Sequence, residues 1–220
     1  MLNHIHSRAA DELQKAGSMQ GWGKSYDTLV GFLSMGQERK LRQATLQLAR
    51  IIPGEQILEV GCGTGTLSLA AKRQAGAHST VCGIDIAPDM IETARQKAAK
   101  AGLDAQFQVG RIETIPYPDN QFDLVLSSLM LHHIPDDKNK QQGLKEIFRV
   151  LKPGGRLLIV DMAPPQNPHL RGLVGLIVGP DFVSHSVAEF MPLLEQAGFT
   201  NIKTGPTSSR FLAYLSGDRT

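Results

Sequence analysis

Residues 57–65 read Ile-Leu-Glu-Val-Gly-Cys-Gly-Thr-Gly. An apolar run ends in three glycines, Gly61, Gly63 and Gly65, each two apart, and Glu59 stands two places before the first. Glycine has no Cβ, so it takes positive φ without steric cost and lets another group approach the backbone closely. A strand that runs into such a loop and opens a helix is the nucleotide-binding corner of an open α/β sheet. The spacing narrows the choice of nucleotide. A dinucleotide fingerprint needs its third glycine at position 66, which is Thr66, and no Gly-Lys-Ser/Thr follows. Standard NAD, FAD and Walker-type phosphate sites are therefore disfavoured. With an acidic lead-in and no lysine or arginine inside it, the loop suits a ligand that carries positive charge or an amine.

Working outward, strand-like and helix-like stretches alternate. Strands are expected over 56–60, 80–84, 105–109, 122–127 and 156–160, and helices over 66–74, 88–101 and 138–151, the last stopped by Pro153-Gly154-Gly155. The helix over 88–101 has the clearest ends: Pro88 and Asp89 open it, Lys97 and Lys100 lie near its close, and Gly102 follows. Continuous apolar runs such as Leu124-Val125-Leu126 and Leu157-Leu158-Ile159-Val160 fit central parallel strands buried on both faces. Upstream, Leu41, Ala44, Leu48 and Ile51 fall near helical spacing, and Pro53-Gly54 ends that helix. Downstream, 163–186 breaks the rhythm, 187–197 reads as a helix, and 201–204 and 211–215 read as a terminal antiparallel hairpin around Gly205-Pro206. The expected fold is α/β: a Rossmann-like doubly wound sheet of seven strands, mostly parallel with that hairpin. A helical N-terminal cap over 1–50 precedes the main domain over 51–220, which carries a lid insert at 163–186.

Composition bounds the function. The chain has 220 residues with a net charge of +2, which gives no electrostatic footprint for nucleic acid. The two cysteines, Cys62 and Cys82, form no CxxC pair, so neither a zinc cluster nor a disulfide framework is expected. The N-terminal stretch lacks the apolar core of a signal peptide, and no run of about 18 apolar residues occurs. A cytoplasmic enzyme without a metal is the expectation.

Asp85 stands at the end of the second strand, where a carboxylate can accept hydrogen bonds from both ribose hydroxyls; the bland reading is that it caps the next helix. At this point five motifs in order carry a resemblance: Glu59-Val-Gly-Cys-Gly-Thr-Gly65, Gly83-Ile-Asp-Ile-Ala-Pro-Asp-Met90, Phe122-Asp-Leu-Val125, Leu131-His-His-Ile-Pro135 and Arg149-Val-Leu-Lys-Pro-Gly-Gly-Arg156. Together they resemble class I S-adenosylmethionine-dependent methyltransferases, in the small-molecule branch that includes ubiquinone/menaquinone C-methyltransferases. The resemblance implies S-adenosyl-L-methionine as cofactor. It implies that Gly61, Cys62, Gly63 and Gly65 pack on its methionine end, that Glu59 anchors the loop or the amino group, and that Asp85 takes the ribose hydroxyls. Ile86 and Met90 would pack against adenine, Arg111 and Ile112 would flank its edge, and Ser127 would line the pocket. Tyr26, with Trp22 near it, would belong to a cap that closes over the cofactor. Arg111 departs from the pattern: many relatives carry an aspartate there, and arginine cannot accept a bond from the adenine amino group. The backbone or Glu113 then supplies that contact, or affinity falls.

His132 and His133 lie just beyond the fourth strand, at the edge where open α/β sheets bind ligands. One of them serves as a base on the substrate, or the pair only shapes the pocket, since methyl transfer from a sulfonium is an in-line displacement that alignment itself accelerates. Asp161 ends the fifth strand and orients a substrate group or caps the following turn. A metal on His132, His133, Asp136 and Asp137 is a poor fit, and nothing equips Cys62 as a nucleophile. The apolar stretch 170–178 is expected to line a hydrophobic substrate pocket or to touch a membrane or lipid-like substrate, against the alternative of an ordinary core helix. The leading expectation is a methyltransferase acting on a small, apolar molecule; the alternative is a non-catalytic adenosyl-ligand-binding protein of the same fold.

Overall fold

Seven strands build one sheet among the residues described by the computed structural model, which are 37–134, 136–163, 165, 167, 186–207 and 212–220. In chain order these are α1 (Gln37–Ala49), β1 (Gln56–Val60), α2 (Thr66–Ala75), β2 (Thr80–Asp85), α3 (Pro88–Ala101), β3 (Gln106–Val109), β4 (Phe122–Ser128), a 3-10 turn (Leu131–His133) and α4 (Asp137–Val150). Then come β5 (Leu151–Met162), a second 3-10 turn (Val187–Phe190), α5 (Met191–Ala197), β6 (Thr200–Pro206) and β7 (Leu212–Asp218). The sheet order is β3-β2-β1-β4-β5-β7-β6. The first five strands run parallel, and β7 pairs antiparallel with both β5 and β6, as the terminal hairpin requires. The chain leaves β1 in one direction toward β3 and later in the other toward β5, so the order switches between β1 and β4. Ligands of open sheets bind outside the strand carboxyl ends at that switch.

Each face of the sheet is covered. Leu58, Val60, Val125, Leu157 and Ile159 pack with Leu144 and Ile147 of α4 and Leu194 of α5 on one face. Ile57, Leu124, Leu126 and Val160 pack with Ala71 and Ala75 of α2 and Ala49 at the end of α1 on the other. Burying an aliphatic side chain of this size contributes about 1.5–3 kcal/mol, which fixes the register that brings the strand ends level. Arg156 ties α1 to β5, donating to Ala49 O at 2.8 Å and to Glu55 Oε1 at 2.6 Å.

Two sequence expectations are corrected. The helix expected to reach residue 151 ends at Val150, and β5 begins at Leu151, before Pro153-Gly154-Gly155 rather than after it. Leu151 already pairs with Phe122, and the register shifts before Leu124, so the Pro-Gly-Gly segment is an irregular stretch inside the strand. Remote partners hold it: Gly154 N–H donates to Arg219 O at 2.6 Å, and Arg219 N–H donates to Gly155 O at 2.8 Å. The Arg219 guanidinium also donates to the carbonyls of Phe148, Arg149 and Leu151, which α4 leaves open at its end. The second correction concerns 187–197, which divides into a 3-10 turn and α5 because Pro192 enters the first turn of α5 without an N–H to donate.

Candidate active site

The glycine loop is built by its own backbone. Gly61 and Cys62 donate to the Ile84 carbonyl at 2.9 Å each, which hooks the loop over the end of β2. Gly61, Gly63 and Gly65 all have positive φ, at +72°, +51° and +74°. Their surroundings differ. A Cβ on Gly65 would lie 2.8 Å from Phe107 and 2.9 Å from Ala94, and one on Gly61 would collide with Met130, whereas one on Gly63 would meet nothing within 4 Å. Gly61 and Gly65 are thus demanded by packing, and Gly63 faces open space.

Asp85 closes the loop from the neighbouring strand. Its Oδ2 accepts from Gly63 N–H at 2.8 Å and its Oδ1 accepts from Ala87 N–H at 3.0 Å at the start of α3. Burial pushes its carboxyl above the ordinary range, while the two N–H donors pull it back. A carboxylate offers about four acceptor positions, so capping α3 leaves room for a ligand hydroxyl.

Glu59 lies behind the loop, only 3% exposed, and its Oε2 accepts from Ser68 Oγ of α2. Burial, the largest cause, raises its pKa to about 8, with the Ser68 hydrogen bonds opposing and Asp85 adding to the rise. Of its two expected roles, the observed contact is the loop anchor. Lys97, read from the sequence only as lying near the close of α3, donates from its ammonium to Thr64 Oγ1 at 2.8 Å and Thr66 Oγ1 at 3.0 Å. Cys62 is buried, and burial followed by Glu59 and Asp85 pushes its thiol far above the usual range, so it is no nucleophile.

Other expected site residues divide into those at the cleft and those turned away. Ile86 is 43% exposed, and Val109, which pairs with Asp85 across β2 and β3, is 50% exposed. Both are large apolar side chains left exposed at the carboxyl ends of neighbouring strands. Met90 and Ile112 are buried, Ile112 against Gly143 of α4. Arg111 bonds to Glu113, with Nε 3.4 Å from Oε2. Ser127 Oγ is buried without a hydrogen-bond partner among the described residues. Arg149, quoted only as part of a motif, clamps the segment that leads into β4, at the amino-terminal edge of the sheet. It donates to Ile115 O at 3.0 Å, Tyr117 O at 2.9 Å and Asp119 Oδ1 at 2.7 Å, and pairs with Glu146 at 2.8 Å. Tyr26, Trp22 and most of the 163–186 insert lie outside the described residues.

Across the switch point, Leu129 takes φ +53° as the chain leaves β4, and the next side chain, Met130, settles on Gly61. His132 then reaches Asp161 at the end of β5, with Nδ1 2.7 Å from Oδ1 and its backbone N–H 3.3 Å from Oδ2. Asp161 Oδ1 also accepts from Met162 N–H at 2.8 Å. The His133 ring lies on His132 with centroids 3.9 Å apart; partial desolvation, then His132, lowers its pKa against the opposing pull of Asp161. Among the described residues no group of three metal-binding side chains gathers.

A family model described as a methyltransferase domain matches residues 51–198, two thirds of the chain and all of the loop, switch-point and strand-end geometry above. The chain belongs to the methyltransferase domain family. Similar proteins include a demethylmenaquinone methyltransferase of Listeria monocytogenes, 34% identical over 145 residues, which cover 66% of this chain and 60% of that one. One of the same name from Lactobacillus johnsonii is 30% identical over 200 residues, covering 80% and 81% of the two chains. The matched stretch thus spans less than two thirds of the Listeria relative. A solved S-adenosylmethionine-dependent methyltransferase from Aquifex aeolicus superposes with a TM-score of 0.65 at 23% identity, covering 81% of this chain and 89% of that chain, a likeness of fold. What this methyltransferase-family chain shares with that structure is the fold.

Proposed function

We propose that the protein transfers a methyl group from S-adenosyl-L-methionine to a small, apolar, quinone-like acceptor. The observation that carries this reading is the pairing of Gly63 with Asp85: an open, positive-φ glycine whose N–H is held by the strand-end carboxylate. The residues present fit the cofactor. A ligand can lie against the Gly63 backbone where a Cβ would stand, Asp85 has acceptor positions left for ribose hydroxyls, and Ile86 with Val109 offers an apolar slot for adenine. Asp85 supplies a carboxyl group at the strand end, with acceptor positions beyond those that Gly63 and Ala87 use. When bound, the cofactor supplies an electrophilic methyl group on its sulfonium.

This chain's residues hold and orient. Gly61, Cys62, Gly63 and Gly65 present backbone to the methionine end. Glu59 and Lys97 brace that loop from behind through Ser68, Thr64 and Thr66. Ile112 and Met90 act through packing under the adenine slot, Ser127 lies beneath the switch point, and the Arg111–Glu113 pair stands at the adenine edge, where Glu113 or a backbone carbonyl accepts from the amino group. The N-terminal cap over 1–50, with Tyr26, and the 163–186 lid would cover cofactor and acceptor, in keeping with the apolar run at 170–178. The relatives named for demethylmenaquinone support an apolar aromatic acceptor with a lipid tail. Calorimetry with S-adenosylmethionine and with NAD tests the cofactor: binding of the first and not the second is expected, and binding of NAD alone would overturn the reading.

A further inference from the structure

The turn after β4 touches two things at once. Met130 rests on Gly61 of the cofactor loop, and His132, two residues on, bonds to Asp161 at the end of β5. Leu129 makes this possible by taking φ +53°, its N–H donating to Val160 O at 2.9 Å. A bulky residue in the left-handed region costs on the order of 1–2 kcal/mol, and such strain gathers at functional sites. The chain thus accepts strain to place an imidazole one strand away from the glycine loop, at the edge where the acceptor must lie.

We propose that Asp161 is a positioning residue that holds His132 in the tautomer whose Nε2 takes the hydroxyl proton of a phenolic acceptor. Tying the turn to β5 needs only the backbone contact from His132 N–H to Oδ2; the 2.7 Å contact to Nδ1 adds orientation of the ring. Both Asp161 oxygens already accept from backbone N–H groups, Oδ2 from His132 and Oδ1 from Met162, so the carboxyl group acts as acceptor toward Nδ1, which carries the hydrogen and leaves Nε2 its lone pair. Among the described residues Nε2 has no hydrogen-bond partner, while the rest of the ring is held: the side chain is 9% exposed and that of Asp161 1%. The titratable groups against His132 are Asp161 on β5 and His133 in its own turn, whose pKa is lowered first by partial desolvation and then by His132. One proton moves. The acceptor's O–H bond breaks, its electron pair stays on oxygen, an N–H bond forms at Nε2, and Asp161 faces the resulting imidazolium until the proton leaves to solvent. The pair remaining on oxygen raises the nucleophilicity of the acceptor.

This inference rests on the methyl-transfer reading, and the test separates the two. Nitrogen-15 spectra of the full-length protein read the His132 tautomer without any substrate. Hydrogen on Nδ1 with a bare Nε2 is expected in the wild type, with reversal in Asp161→Asn; hydrogen on Nε2 in the wild type overturns the proposal. With S-adenosylmethionine and a demethylated menaquinol, His132→Gln and Asp161→Asn are expected to lower kcat by roughly 10²–10⁴-fold at little-changed KM and cofactor affinity. Retention of wild-type kcat by folded, cofactor-binding variants overturns it. A wild-type protein that binds the cofactor but methylates no phenol refutes the functional reading instead, and the nitrogen spectrum then judges the pair by itself.

Discussion

Burial holds Glu59 protonated up to about pH 8, against an ordinary value of 4.5. Between those two pH values the folded protein keeps a proton that the unfolded chain has lost, so folding stability falls as pH rises through that window and levels off above it. Glu59→Gln retains an acceptor for Ser68 and has nothing to ionise. In urea unfolding, the stability of Glu59→Gln relative to wild type is therefore expected to rise between pH 5 and pH 8, by on the order of 3 kcal/mol; a difference independent of pH would show that Glu59 is not held neutral. Asp85 carries a different load, since it accepts from Gly63 and Ala87 and offers positions beyond them. Asp85→Ala is expected to weaken S-adenosylmethionine binding by about 1.5–3 kcal/mol in calorimetry, with unchanged affinity meaning that it only caps α3. Both acids were legible in the sequence, one before the glycines and one at a strand end. Their states were not, because burial and the contact from Ser68 depend on how α2 lies across β1.

The glycine loop behaves as an element whose three glycines are not equivalent. Gly65→Ala must force φ +74° on an alanine and push into Phe107 and Ala94, so a loss of roughly 2–4 kcal/mol of stability is expected. Gly63→Ala meets open space and is expected to cost only about 1–2 kcal/mol of stability while abolishing measurable cofactor binding. A Gly63→Ala protein that binds normally would remove the loop from the site. The Arg149 clamp on Ile115, Tyr117 and Asp119 yields a separate expectation: Arg149→Lys loses the planar fork and lowers the urea midpoint, with cofactor affinity little changed, because the clamp lies at the amino ends of β4 and β5. These distinctions separate what sequence can carry from what it cannot. Spacing located the loop and disfavoured a dinucleotide, and Pro88, Asp89 and Gly102 marked both ends of α3. The start of β5 was hidden because Pro153-Gly154-Gly155 is a breaker by local chemistry, and only the distant Arg219 backbone makes it a strand. The His132–Asp161 contact was hidden for the same reason, since nothing local links two residues that meet only when β4 and β5 pair.

At the scale of the whole molecule, the parallel strands set the chemistry by bringing their carboxyl ends level. The order switch between β1 and β4 sets the glycine loop after β1 on one side and the His132–Asp161 pair after β4 and β5 on the other. A ligand that binds only the folded protein stabilises it by about 2.7 kcal/mol at a hundredfold excess over Kd, which for a chain of this length raises Tm by roughly 5–10 °C. S-adenosylmethionine is expected to produce that shift and NAD none. The central claim is the transfer itself. Incubation with S-adenosylmethionine carrying an isotopically labelled methyl group and a demethylated menaquinol should place the label on the quinone fraction, with one S-adenosylhomocysteine formed per label transferred. Cofactor bound but no label on this or any other phenolic acceptor would contradict it and favour a non-catalytic adenosyl-binding protein of the same fold.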